Sequence, residues 1–119
     1  MIRIRPAQME AFRAERREAL AERLASRGAR LYPERAAGRR DAELRAEALR
    51  IAASAREWGL TSERDATIYY DLSLDLGEGF ERGEEGRWAR EHLEDRRRGP
   101  HERIVAVRDA YLGGDVEDP

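Results

Sequence analysis

The chain has 119 residues, which is enough for one domain that buries a core without a metal or disulfide. It has no cysteine, which excludes disulfides and thiolate metal sites and makes a cytoplasmic location the default expectation. All 23 basic residues are arginine, 25 residues are acidic, and no stretch has the apolar length of a signal peptide or a membrane span.

Charge is distributed unevenly along the chain. Residues 1–60 carry 14 arginines against 9 acidic residues and residues 61–119 carry 9 against 16, so the halves have formal charges of +5 and −7. Such asymmetry could hold the halves of one bundle together, support a weak homodimer, or steer charged partners. A solvated helical surface whose amino-acid composition changes along the chain would show the same charge asymmetry.

The N-terminal segment predicts an extended tail followed by a long helix. Ile2 and Ile4 alternate with arginines ahead of Pro6, and the residue before a proline is disfavoured in a helix. Pro6 suits the first helical position, because its missing amide would lack a partner there anyway. We expect an extended tail over residues 1–5 and a helix from Pro6 to about Arg27.

The expected core face of this first helix contains arginines. Its apolar and basic members are Met9, Phe12, Leu20 and Leu24, with Arg16 in the middle and Arg23 and Arg27 near the margin. Three explanations stay open. The arginine stems could pack while their guanidinium groups reach water, Arg16 could pair with Asp71 or Asp75, or the face could meet another molecule.

A loop and a second helix follow. Gly28 is expected to end the first helix, and residues 31–38 predict a loop. Asp41 suits the N-terminal cap of the next helix, and Gly59 suits its end. The apolar positions between them are spaced by four and three residues, as in a helical seam: Leu44, Ala48, Ile51, Ala55 and Trp58.

Residues 60–76 form the most apolar segment, and the predicted fold is arranged around them. Ser62 and Asp65 have the spacing of a capping box at a helix start. The alternation of residues 72–76 is also compatible with a β-strand, but the cap and the lack of a second strand-like segment favour a helix. We therefore predict an all-α fold, a compact bundle of about five helices around this buried third helix.

The C-terminal part predicts a loop and two shorter helices. Residues 77–86 contain four glycines and predict a flexible loop pinned by Phe80, and their glutamates exclude a phosphate cradle. A short helix begins near Trp88, Pro100 opens the last helix, and residues 113–119 form a frayed acidic end. The chain is predicted to be one helical domain.

No residue pattern predicts catalysis. His92 and His101 are the two histidines, neither lies near a serine motif, and the paired Glu-x-x-His motifs of a helical metal site are absent. We expect a non-enzyme without metal or cofactor. Asp71 and Asp75, one turn apart, could act as a carboxylate pair, and residues 96–98 could contact phosphates as part of a nucleic-acid-binding module. Two such aspartates more often form the solvated edge of a helix or pair with nearby arginines. The overall charge of −2 argues against nucleic-acid binding.

Two charged surfaces are candidates for contact with another protein. A basic surface is predicted at the first helix and the tail: Ile2, Ile4, Arg16, Arg23 and Arg27. An acidic strip is predicted opposite it: Asp71, Asp75, Glu78, Glu81 and Glu85. Such a strip would complement a basic partner.

Several short motifs together resemble a known kind of protein. They lie at residues 8–12, 32–34, 58–65, 70–72, 76–80, 88–89 and 93–95, and the most specific of them is WGLTSERD at 58–65. The chain resembles small, uncharacterised proteobacterial proteins encoded beside type VI secretion spike genes (PAAR, VgrG) and polymorphic-toxin genes. The resemblance implies a cytoplasmic adaptor or effector chaperone, or alternatively an immunity protein, and it brings no catalytic residues.

Overall fold

The computed structural model describes residues 5–114, and within this range the chain is all-α without a β-strand. The α-helices, in chain order, are α1 (Pro6–Leu31), α2 (Pro33–Ala36), α3 (Asp41–Glu57), α4 (Glu63–Leu76), α5 (Arg87–Leu93) and α6 (Pro100–Asp109). A 3₁₀ turn at Glu84–Gly86 leads into α5, and a π-helical turn at Ala110–Gly114 follows α6. The predicted fold class is confirmed, and α4 is the predicted third helix. The predicted tail at Ile2 and Ile4 and residues 115–119 of the acidic end lie outside the described range.

The chain divides into two compact units, Met1–Arg50 and Ile51–Pro119. The boundary falls within α3, so this helix contributes its first half to one unit and its second half to the other. The prediction that the whole chain forms one domain stays a prediction.

Helix α1 begins where the sequence predicts and ends later. Pro6 occupies the first helical position, and Gln8 Oε1 accepts a hydrogen bond from the Arg5 amide at 2.9 Å. The predicted end at Gly28 is wrong, because that glycine is buried inside the helix. The helix ends before Pro33, which restricts the backbone of the residue ahead of it.

The buried side of α1 is narrower than the sequence predicts. Its buried residues are Ala21, Leu24 and Gly28, which share one side of the helix and lie in its second half. Met9 and Phe12 were expected on the core face, but they are 38% and 56% exposed. Two of the three buried positions carry small residues, which allow a close approach of neighbouring groups but give little hydrophobic signal in a sequence.

A buried ion pair connects α2 with α3 in the first unit. Glu47 is 5% exposed, and Arg35 donates to both of its carboxylate oxygens, with Nη1 to Oε1 at 2.8 Å. Arg39 Nη1 lies 3.5 Å from Glu47 Oε1. The hydrogen bonds from Arg35 lower the pKa of Glu47 below its ordinary value. A buried carboxylate requires such partners, and Arg35 provides one from the short helix α2, which lies in the predicted loop.

Helix α4 begins at the predicted cap, although only half of the capping box forms. Ser62 Oγ accepts a hydrogen bond from the Asp65 amide at 3.1 Å. The Asp65 carboxylate is not used for the reciprocal bond, because its Oδ1 lies 2.6 Å from Nδ1 of His101 in α6. The pair contributes to the contact between α4 and α6, and α6 also packs against α5.

Helix α4 was expected to be buried on both sides, but one side is buried and the other is half-buried or exposed. The buried residues are Asp65, Ala66, Tyr69, Tyr70, Leu72 and Ser73. Ile68 and Leu74 are half-buried, and Leu76 is exposed at the last turn. The prediction of a helix rather than a strand at residues 60–76 is confirmed, and this helix supplies much of the core of the second unit.

The glycine-rich segment 77–86 is anchored at a buried glutamate as well as at Phe80. The Glu81 side chain is fully buried, and its Oε2 accepts hydrogen bonds from Trp58 Nε1 and the Tyr69 hydroxyl, both at 2.8 Å. Arg90 Nη1 donates to the Glu81 carbonyl oxygen at 2.6 Å. The Phe80 ring lies 5.7 Å from that of Tyr69. These contacts attach the segment to the turn that follows α3 and to α4 and α5.

Raising the pH above about 10 should destabilise the second unit, because Tyr69 resists ionisation in the fold. Burial, together with the hydrogen bond to Glu81, raises the pKa of Tyr69. In the unfolded chain the Tyr69 hydroxyl ionises at the ordinary tyrosine pKa of about 10. The stability that the neutral hydroxyl contributes is therefore complete below this pH and is lost as the pH rises above it. We expect the urea unfolding midpoint to fall between about pH 9 and pH 11, and to fall less in Tyr69→Phe. If the unfolding midpoint fell equally in the wild type and in Tyr69→Phe, ionisation of Tyr69 would not be the cause.

Candidate protein-binding surface

The first half of α1 contains no buried residue. Every residue from 6 to 18 is exposed except Arg17, which is half-buried. We call residues 6–18 the helical arm, and at about 1.5 Å per residue it is about 20 Å long. Much of the stability of a protein helix comes from packing of one of its faces, so a partner that covers the arm would stabilise it.

One side of the helical arm combines apolar and basic side chains. At 3.6 residues per turn, Met9, Phe12, Arg13 and Arg16 fall on the same side, which we call the basic–apolar stripe. Arg16 was predicted on the basic surface and Arg13 was not, although helical periodicity places Arg13 on the same side.

The acidic residues of the helical arm fall outside the basic–apolar stripe. They are Glu10, Glu15 and Glu18. Glu10 is paired within the arm, because Arg17 Nη2 donates to its Oε2 at 3.0 Å. The stripe therefore presents a positively charged surface with two apolar side chains.

The predicted basic surface is found in part. Arg16 and Arg23 are exposed, Arg27 is half-buried, and Ile2 and Ile4 lie outside the described residues. The expected conflict between Arg16 and a buried face does not arise, because this part of α1 is not buried. Its proposed pairing with an aspartate of α4 stays a prediction.

The predicted acidic strip is interrupted. Asp75, Glu78 and Glu85 are exposed and Asp71 is half-buried. Glu81 was expected on the same surface. This prediction is wrong, because the Glu81 side chain is fully buried under the glycine-rich segment 77–86. Trp58 and Tyr69 donate hydrogen bonds to the Glu81 carboxylate. No sequence pattern distinguishes Glu81 from the exposed glutamates of the same segment.

A shallow groove lies between α1 and the first half of α3. Its volume is about 340 Å³, and it is lined by Glu22, Ala25, Ser26, Ala29, Asp41, Leu44 and Arg45. Arg45 Nη1 lies 3.6 Å from Glu22 Oε1. Because charges of both signs line the groove, it does not select a ligand of one charge.

A carboxylate–imidazole pair lies between α4 and α6. Asp65 Oδ1 is 2.6 Å from Nδ1 of His101, and no local sequence pattern predicts the pair because the two residues are 36 positions apart. No three His, Asp or Glu side chains between residues 5 and 114 come together in a way that could hold a metal ion. A carboxylate pair for acid–base work needs one buried member, and neither Asp71 nor Asp75 is buried.

No helix in the described part of the chain has the length and apolar character needed to cross a membrane. Comparison with family models, curated proteins and solved structures found no match for this chain.

Proposed function

We propose that this protein is a non-enzymatic accessory that binds another protein through its helical arm. The observation that carries the proposal is the exposure of Met9 and Phe12, at 38% and 56%, on a helix segment without a buried residue. Covering such side chains removes apolar surface from water, worth about 25 cal/mol per Å². Methionine, aromatic residues and arginine are also the residue types enriched in protein interfaces.

The resemblance supports a role as an adaptor or effector chaperone in a type VI secretion or toxin system. An immunity protein is the second candidate, and the exposed carboxylates of Asp75, Glu78 and Glu85 favour it, since they would complement a basic toxin. Co-expression with the captured partner separates the two roles. An immunity protein rescues growth without affecting secretion, whereas an adaptor changes the amount of partner that is secreted.

Capture by a tagged protein tests the helical arm as the binding surface. We expect the wild type to retain a partner that Phe12→Ser loses. The matched control is Leu112→Ser, which removes a side chain that is 73% exposed in the π-helical turn after α6. Loss with both variants would indicate nonspecific adhesion. Retention of the same partner by Phe12→Ser would contradict binding through the arm.

A further inference from the structure

The helical arm also indicates the chemistry of its partner, an inference that rests on the proposed function. We propose that the basic–apolar stripe binds an acidic amphipathic helix of another protein. Met9 and Phe12 pack against the apolar side of that helix, and Arg13 and Arg16 pair with its carboxylates.

The charge of the stripe indicates that the partner surface is negatively charged. Arg13 and Arg16 lie in the stripe, whereas Glu15 and Glu18 fall on other sides of the helix. Arg17, outside the stripe, already has a partner in Glu10 at 3.0 Å. Guanidinium groups bind carboxylates through two parallel hydrogen bonds, so the stripe favours a partner rich in aspartate or glutamate.

The shape of the arm indicates a helical partner. A straight helix presents its side chains in ridges that pack best into the grooves of another helix. About 20 Å of helix matches a partner segment of about 13 residues. Because the stripe has two large apolar side chains, the interface falls in the small, transient class below about 1,200 Å². Because its charge pairs would be exposed to solvent, its affinity should depend on salt.

The same residues argue against a lipid surface. A helix that lies in a bilayer interface needs a broad apolar face, whereas the arm exposes Met9 and Phe12 among charged residues.

Fluorescence anisotropy with the full-length protein tests the inference. The probe is a fluorescein-labelled, 15-residue peptide with leucine at heptad positions a and d, glutamate at e and g, and alanine elsewhere. A matched peptide carries lysine in place of glutamate. We expect the wild type to bind the glutamate peptide about tenfold more tightly, and to bind it more weakly at 300 mM than at 50 mM salt.

Charge reversal in the arm should exchange the preference. The variant Arg13→Glu with Arg16→Glu should favour the lysine peptide, whereas the control variant Arg56→Glu with Arg96→Glu, equal in charge change and also at exposed positions, should not. Phe12→Ser should weaken binding of the glutamate peptide about fivefold.

Equal affinity for both peptides, or an unchanged preference after reversal, would overturn the inference. So would binding of phosphatidylglycerol vesicles in place of the glutamate peptide. If capture of a protein partner still depended on Phe12, the proposed function would stand while this assignment of partner chemistry failed.

Discussion

Replacing Gly86 by alanine should lower the free energy of unfolding by about 3 kcal/mol. A Cβ atom at this position would lie 1.8 Å from the Phe80 carbonyl oxygen and 2.8 Å from the Cα atom of Glu81. Both contacts are with backbone, so no side-chain rotation relieves them. The segment would have to move away, and with it the buried Glu81 carboxylate that anchors it.

Gly83 provides the matched control in the same segment. A Cβ atom there would meet nothing within 4 Å, and its φ of −90° is accessible to any residue. Urea unfolding followed by circular dichroism should show a large loss for Gly86→Ala and almost none for Gly83→Ala. Similar stability of the two variants would contradict the close packing of the segment.

Replacing Glu81 by alanine should cost about 3–5 kcal/mol. The change leaves the buried Tyr69 hydroxyl and Nε1 of the half-buried Trp58 without the acceptor that now lies 2.8 Å from each. It also opens a cavity where the side chain was fully buried. Both effects act on the contact that joins the glycine-rich segment to Trp58, just after α3, and to Tyr69 of α4.

Glutamine at the same position separates the hydrogen bonds from the negative charge. Glu81→Gln keeps an acceptor for Trp58 and Tyr69 and nearly the same volume, so we expect it to be more stable than Glu81→Ala by about 2 kcal/mol. Chemical denaturation of the two variants measures this difference. Equal losses would show that the acceptor contributes little and that the account of this cluster is mistaken.

The parts of the fold that depend on local sequence could be predicted. Ser62 caps α4, Pro6 and Pro100 occupy the first positions of their helices, and the wide apolar circumference of residues 60–76 corresponds to a largely buried helix. Each of these signals acts within one or two helical turns, so the neighbouring residues alone determine it.

Features that depend on contacts between distant segments could not be predicted. Glu81 is buried because Trp58 and Tyr69, 23 and 12 positions earlier, supply hydrogen-bond donors. Glu78 and Glu85 belong to the same glycine-rich stretch and remain exposed. Composition treats the three glutamates alike, so the acidic strip was overestimated.

The candidate site was predicted in its charge but not in its exposure. Helical periodicity correctly places Met9 and Phe12 on one apolar face, and this face was expected to be buried. In the structure, the buried residues of α1 are Ala21, Leu24 and Gly28. A hydrophobic pattern shows which side of a helix is apolar. It does not show whether the chain itself covers that side, and the open explanation that the face meets another molecule is the one we propose.

Hydrogen exchange of the full-length protein, alone and with its captured partner, tests the helical arm most directly. We predict that amides of residues 6–18 exchange faster than those of residues 21–31 in the free protein, and that the partner slows exchange in the arm while residues 77–86 stay unchanged. Protection of residues 77–86 with no change in residues 6–18 would contradict the proposal and would move the binding surface to the acidic strip.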